Sequence, residues 1–243
     1  MPLFEEIEPQ NMPLAARLRP RSLQEFVGQK HLLKRGSPIR QALECKPRTS
    51  IILWGPPGCG KTTLARILAT QWGAHWEMES AVACGVNDIK RLASAARNRK
   101  APTVLILDEI HHFSKTQQDV LLGFLEEGTF VLIGCTTENP LFSLAPPLLS
   151  RCQVLVLRAL SEEEISEIID RGCRALNVSL TPSAKALLVR WSNGDARVAL
   201  NVLEWAEQIS GDAGPITEDS IAEVMQRPVT RYEARGDTHY DVI

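Results

Sequence analysis

Between Gly55 and Thr63 the chain reads G-P-P-G-C-G-K-T-T, which contains the spacing G-x-x-x-x-G-K-[ST]. Glycines at those places let successive backbone N–H groups turn inward around phosphate oxygens. A helix that starts at the last of them points its partly positive end at the same anion. Gly55, Pro56, Pro57, Gly58, Cys59, Gly60, Lys61, Thr62 and Thr63 are thus the expected phosphate cradle. Lys61 would meet the β and γ phosphates of ATP, and Thr62 would give its hydroxyl to Mg²⁺. Such a site needs a carboxylate at the C-terminal end of a second buried strand. Asp108-Glu109, directly after V-L-I-L, fits: Asp108 would share the Mg²⁺ with Thr62, and Glu109 would orient and deprotonate the attacking water. Two carboxylates point to hydrolysis of ATP to ADP rather than to nucleotide storage.

Thr136, Thr137 and Asn139 follow the apolar run F-V-L-I-G-C, where a neutral hydrogen-bonding side chain could lie between the two halves and sense the γ-phosphate. Read alone, they are a polar turn before Pro140. Arg151, in S-R-C, lies too far along the chain to belong to the cradle, yet a cation there can stabilise charge in phosphoryl transfer. The plainer reading is a solvated surface arginine. Arg197, one turn into a helix capped by Asp195, could reach the same phosphates or simply make a helix-surface salt bridge.

The elements that must position these groups follow from the spacing of apolar residues. Ser50 to Trp54 is a short apolar run leading into the cradle, and Leu64, Ile67 and Leu68 then recur at helical spacing to Trp72. Trp76 to Glu79 forms a second short strand, Asn87 to Arg99 a helix with Ile89, Leu92 and Ala96 on one face, and Thr103 to Leu107 a third strand. Ser114 starts a helix that stops near Gly128, and Phe130 to Cys135 and Val154 to Leu157 supply two more strands. Five apolar strands alternating with helices predict an α/β fold: a parallel sheet with helices on both faces, which alone buries both sides of every strand.

From Ser161 the pattern changes. S-E-E-E is a capping box, Thr181-Pro182 an N-cap followed by proline at the first helical position, and Asn193-Gly194 a helix stop. The expected organisation is a loose arm over 1–13, an α/β nucleotide-binding domain over 14–159, a small all-helical domain over 160–226, and a polar linker over 227–243. Leu14 to Gln29 serves as an entry segment.

Composition narrows the classes. The 243 residues are 44% hydrophobic and 23% charged, which excludes a disordered, collagen-like or membrane-embedded chain. With 27 Lys plus Arg against 29 Asp plus Glu, no whole-protein positive field draws it to nucleic acid, so any such contact needs a local patch or an assembled ring. Two candidate patches are Arg17, Arg19, Arg21 and Lys30, and Lys90, Arg91, Arg97, Arg99 and Lys100; a solvated helix face explains them equally well. The six cysteines show no C-x-x-C pair and predict neither a zinc site nor disulfides. The acidic start and the lack of a long apolar run predict no signal peptide, no membrane span and a reducing interior compartment.

The motifs G-P-P-G-C-G-K-T-T, L-I-L-D-E, C-T-T-E-N-P, L-L-S-R-C and G-D-A-R-V-A-L-N, in this order, resemble the AAA+ P-loop ATPases of the clamp-loader group. Within it, L-A-A-R-L-R-P, D-E-I-H-H-F, G-C-T-T-E-N-P and G-D-T-H-Y-D are similar to the replication-associated recombination proteins, called RarA or MgsA in bacteria and Werner-helicase-interacting protein in eukaryotes. The resemblance runs from about Pro13 to the end. It implies a DNA-stimulated ATPase at stalled or gapped replication forks, working in replication, recombination and repair as a homo-oligomeric ring, typically a tetramer. Implied partners are single-stranded DNA, DNA ends or forks, and single-stranded-DNA-binding protein. The implied location is the cytoplasm at the nucleoid, or the nucleus in a eukaryote. The helical domain becomes a lid. Thr136 takes the sensor-1 place with Asn139 as rival, Arg151 the arginine finger serving a neighbouring subunit, and Arg197 the sensor-2 place in cis. Arg19, Val27 and Gly28 fall in the segment laid against adenine.

The chain departs from the family at three places. Cys59 stands where Thr or Ser is usual; that position contributes its backbone N–H, so ATP binding should survive, with an added sensitivity to oxidation. His112 replaces a common arginine, and the chain stops where family members continue into helices that carry oligomerisation, so it reads as a fragment. Such a fragment should hydrolyse ATP weakly. Two other classes compete. A protein unfoldase needs an aromatic pore loop, and Ser80 to Val86 has no aromatic residue. A clamp-loader subunit or nucleotide-dependent scaffold without DNA-remodelling activity remains the alternative, though Lys61, Asp108 and Glu109 are all present.

Overall fold

The computed structural model of the chain describes residues 12–34, 36, 37, 39, 49–99, 103–211 and 214–226. Residues 1–11 of the expected arm over 1–13, the linker over 227–243 and Lys100 lie outside the described residues.

Five strands form one sheet: β1 (Ser50–Trp54), β2 (His75–Ser80), β3 (Thr103–Asp108), β4 (Val131–Thr136) and β5 (Cys152–Val156), in the order β2-β3-β4-β1-β5. Every pairing is parallel. Parallel neighbours need crossovers. These are α3 (Lys61–Gln71) after β1, α4 (Val86–Arg97) after β2, and α5 (Lys115–Glu126) after β3. Among the described residues, the short helices α1 (Leu14–Arg17) and α2 (Lys30–Leu33) precede the sheet.

The central strands are apolar along their whole length because both faces are covered. Ile51 and Leu53, with Val104, Ile106, Ile133 and Leu155, join Leu64, Ile67 and Leu68 of α3 in one core. Ile52, with Leu105, Leu107 and Leu132, joins Ile89 and Leu92 of α4 and Leu121 of α5 in a second. Alternate residues of one strand therefore feed opposite cores, as the pleat requires. The expected α/β class with a five-stranded parallel sheet is what the structure has.

The boundaries differ where a short element carries no period. β4 includes Thr136, which pairs with Trp54 and is fully buried, whereas the sequence placed it in the following turn. A 3₁₀ turn at Ile110–His112 and the helices α6 (Pro140–Ser143) and α7 (Pro146–Leu149) are too short to show periodicity. Both helices start on proline, whose fixed φ suits a first turn.

The described residues divide into two compact units. Arg19–Glu164 and Asn193–Ala196 make up the sheet unit. The helical unit takes the residues up to Leu18, Ile165–Ser192 and those from Arg197 on. It is built from α8 (Glu162–Leu176), α9 (Pro182–Ser192), α10 (Ala196–Ser210) and α11 (Glu218–Gln226). The capping residues stand as expected: Glu164 N–H donates to Ser161 Oγ, Ser161 N–H to Glu164, and Ala184 N–H to Thr181 Oγ1. The expected α/β stretch differs at its start. Leu14 is fully buried, and its N–H donates to Glu204 Oε1 on α10 at 2.9 Å, so α1 belongs with the helical unit.

Gly134 in β4 shows how tightly the sheet packs. A Cβ there would lie 2.8 Å from Ile52 Cδ1 and 3.1 Å from Ile110 Cδ1. Gly134→Val should cost about 1–3 kcal/mol by overpacking, read as a lower midpoint in urea with the slope unchanged. An unaltered midpoint would contradict this packing.

Candidate active site

The cradle begins where β1 ends. Gly55 N–H donates to Thr136 O at 3.2 Å, which fixes the loop's entry against the end of β4. Gly58 and Gly60 have φ of +64° and +99°, the left-handed region that glycine enters without strain. Space excludes side chains there too. A Cβ on Gly58 would lie 1.8 Å from Asp195 Oδ1, and one on Gly60 2.8 Å from the Phe26 ring. The left-handed turn at Gly60 starts α3 at Lys61, which aims the helix N-terminus into the loop.

Lys61 is buried, and its ammonium donates to Gly55 O at 2.8 Å and Pro56 O at 2.9 Å. Thr62 Oγ1 donates to Asp108 Oδ2 at 3.1 Å, joining the first turn of α3 to the end of β3. Two adjacent hard oxygens of this kind suit a Mg²⁺ ion. Pro56, Pro57, Cys59 and Thr63 complete the loop and the first turn of α3, with Cys59 buried beneath it.

Glu109, next after β3, adopts φ +52° and ψ 45°, an uncommon conformation for a residue with a side chain. The strain places its carboxylate beside His111 Nδ1, 3.3 Å from Oε2, and Thr137 Oγ1, which donates to the same Oε2 at 3.5 Å. Thr136 and Thr137, on consecutive positions, face different surroundings. Thr136 Oγ1 accepts from Glu138 N–H at 3.0 Å and lies 3.1 Å from His111 Nδ1, so its hydroxyl is held inside the fold. Asn139 Oδ1 accepts from Leu141 N–H at 3.0 Å and caps α6. The hydroxyl beside the acid is therefore that of Thr137, not of Thr136 or the rival Asn139. Both of those are committed to local turns of the kind Thr and Asn side chains form with nearby backbone.

Arg151 lies at the exposed start of β5, paired with Glu126 Oε1 at 2.5 Å and donating to Pro147 O at 3.0 Å. Arg197 is an exposed residue of α10 in the helical unit. Arg19 and Val27 are half-buried, and Gly28 is buried beside Leu160 and Glu164. The next residue is one that sequence reasoning missed. Gln29, 4% exposed, gives its amide N–H to Arg158 O at 2.7 Å and to Cys59 O at 3.4 Å, and accepts from Arg158 N–H at 2.9 Å. It ties the cradle to the strand end after β5. His111, two residues beyond Glu109, and Asp195, read only as a helix cap, were also missed as parts of the site.

Burial pushes the Cys59 thiol above its ordinary value, against the pull of Lys61, and pushes Cys135 well up. Cys59 is 1% exposed. A shielded thiol with little thiolate character is a poor target for oxidants, which corrects the expected oxidation sensitivity. The basic run on α4 is also less open than it looked. Arg91 pairs with Asp88 at 3.3 Å, Arg99 with Glu77 at 2.9 Å and Arg97 with Glu127, while Lys90 and His112 are exposed. Among the described residues no group of His, Cys, Asp or Glu could hold a metal ion on its own, and no helix is long and apolar enough to cross a membrane.

Residues 51–160 match the model of the ATPase family associated with various cellular activities (AAA), and residues 174–243 match the AAA C-terminal domain. The chain is 44% identical to an uncharacterised AAA domain-containing protein of Mycobacterium tuberculosis, over 95% of this chain and 53% of that one. It is 41% identical to replication-associated recombination protein A of Escherichia coli, over 95% of this chain and 55% of the relative. It thus spans about half the length of the curated relatives it matches. Among solved structures, the RuvB Holliday junction branch migration motor of Thermotoga maritima superposes with a TM-score of 0.73 at 28% identity, covering 86% of this chain and 72% of that chain. With the cradle, the acid pair and the parallel sheet in place, the chain belongs to the nucleotide-binding AAA ATPases, in the family of replication-associated recombination protein A.

Proposed function

We propose that this chain binds ATP with Mg²⁺ at the C-terminal edge of the sheet and hydrolyses it, in the service of maintaining, recombining and repairing DNA at replication forks. The observation that carries the chemistry is the 3.1 Å contact between Thr62 and Asp108. It brings the first turn after the cradle against the acid pair of a different strand, the arrangement phosphoryl transfer needs.

Each residue then has a task. Lys61 exchanges the carbonyls of Gly55 and Pro56 for phosphate oxygens. Thr62 and Asp108 would hold the Mg²⁺, whose chemistry there would be to neutralise phosphate charge. Glu109 accepts the proton of the attacking water, and Thr137 offers its hydroxyl at the γ-phosphate end beside it. Arg151 acts on the ATP of a neighbouring copy: its exposed pair with Glu126 is of a kind worth about 0–1 kcal/mol, so the guanidinium is readily given up. Arg197 reads the phosphates as sensor 2 within its own chain, and Arg19, Val27 and Gly28 border the adenine. The working form is a homo-oligomer, a tetramer, that associates with single-stranded DNA, ends or forks and with single-stranded-DNA-binding protein. The name of the Escherichia coli relative supports the place at replication and recombination, and that of the RuvB motor supports work on branched DNA.

Glu109→Gln should retain Mg-ATP binding within about twofold and lower turnover by at least about 10²-fold, read by phosphate release and by a fluorescent nucleotide. Loss of binding, or turnover left intact, would remove Glu109 from the role of base. For Arg151, turnover should rise faster than in proportion to protein concentration. Arg151→Ala mixed with Lys61→Ala should recover part of the activity that each lacks alone, since an arginine finger is worth roughly 10³–10⁵ in rate. Strict proportionality, with no recovery in the mixture, would place the arginine outside the reaction. Forked or single-stranded DNA should raise ATP turnover, whereas indifference to both would count against the DNA assignment.

A further inference from the structure

Glu109 Oε2 lies 3.3 Å from His111 Nδ1, and the same nitrogen lies 3.1 Å from Thr136 Oγ1. Thr136 Oγ1 in turn accepts from Glu138 N–H at 3.0 Å and lies 3.2 Å from Glu138 O. The imidazole is 9% exposed and the Glu109 side chain 28%, so water reaches the pair chiefly from the carboxylate's side.

Counting protons fixes the direction of each bond. An ionised carboxylate only accepts, a hydroxyl has one proton to give, and a neutral imidazole carries its proton on one nitrogen. With Nδ1 bare, its lone pair would face the carboxylate, and Thr136 would turn its proton to the ring and away from Glu138 O. With the proton on Nδ1, the N–H is shared between Glu109 Oε2 and Thr136 Oγ1, and Thr136 gives its own proton to Glu138 O. Only the second assignment satisfies all four groups.

We infer that His111 is a positioning residue for Glu109: through Nδ1–H it turns Oε2 toward the protein, leaves Oε1 for the water, and ties that orientation to the end of β4 at Thr136–Glu138. The same β4 end accepts the Gly55 N–H of the cradle, so the acid and the cradle are referenced to one strand terminus. This rests on the proposed hydrolysis with Glu109 as base.

The two amide side chains distinguish the ring nitrogens. An asparagine amide falls near the place of Nδ1, and a glutamine amide near that of Nε2. In the 243-residue chain, His111→Gln should lower kcat about 10²-fold with ATP affinity unchanged within twofold. His111→Asn should restore kcat to within about threefold of the unsubstituted chain. Retained nucleotide affinity in both variants shows that they are folded. The proposal is overturned if His111→Gln turns over within twofold of the unsubstituted chain, if both variants lose activity equally, or if ATP affinity falls in parallel with kcat. Glu109→Gln, run alongside, separates the failures. A normal rate in that variant removes Glu109 from the role of base and sinks this proposal with it, while a dead Glu109→Gln with a normal His111→Gln sinks only the role of His111.

Discussion

The site depends on β1 pairing in parallel with β4 on one side and β5 on the other. Because Trp54 stands opposite Thr136, the residue after β1 reaches the residue that ends β4, and Gly55 N–H closes on Thr136 O. Because Ser80 stands opposite Asp108 and Leu107 opposite Gly134, β3 ends at the same edge. A shift of one residue in β1 would move Ile51, Ile52 and Leu53 to the opposite cores and carry the cradle about 3.3 Å along the strand axis, breaking the reach from Thr62 to Asp108. Burial of side chains on both faces, each worth about 1.5–3 kcal/mol, makes that slip costly. The packing of the sheet and the geometry of the cradle are one constraint.

The groups legible in the sequence are those whose neighbours along the chain do the positioning. The cradle is continuous, and its glycines, lysine and threonine act through backbone spacing, so Gly55 to Thr63 could be read directly. Asp108 and Glu109 were legible because they end an unbroken apolar run. Thr136 and Thr137 were not separable, since adjacent threonines at a strand end differ only in which side of the sheet they face, and composition does not say which side holds the acid. Thr136 took the sensor-1 place from the resemblance; the structure sets Thr137 Oγ1 beside Glu109 and Thr136 Oγ1 against Glu138 N–H. The contacts of His111 with Thr136, of Gln29 with Cys59 and Arg158, and of Asp195 with Gly58 span about 25 to 135 residues of chain, and no local spacing marks such partners.

A basic run along a helix is likewise not a basic surface in space. Arg91, Arg97 and Arg99 each meet a carboxylate from α4, from the end of α5 or from β2. Arg97 also lies 5.4 Å from the centre of the Phe124 ring. Exposed pairs are weak and yield to a denser anion such as a nucleic-acid backbone. They still lower the positive potential that would draw DNA to this face before contact. The near-neutral charge of the chain adds no long-range attraction to make up for this.

The contacts of Lys61 bear on how the cradle takes its ligand. A buried ammonium is unfavourable unless its donors are met, and at 7% exposure the carbonyls of Gly55 and Pro56 meet two of its three. Those acceptors belong to the loop itself, so the lysine holds the cradle near its working shape before phosphate arrives. The exchange runs toward phosphate because the ammonium, already a charged donor to two neutral carbonyls, there meets an acceptor that is itself charged, which adds an ion-pair attraction the carbonyls lack. A lysine already desolvated against its own loop has much of its dehydration and ordering cost settled in the fold, which leaves more of the phosphate contact to appear as affinity.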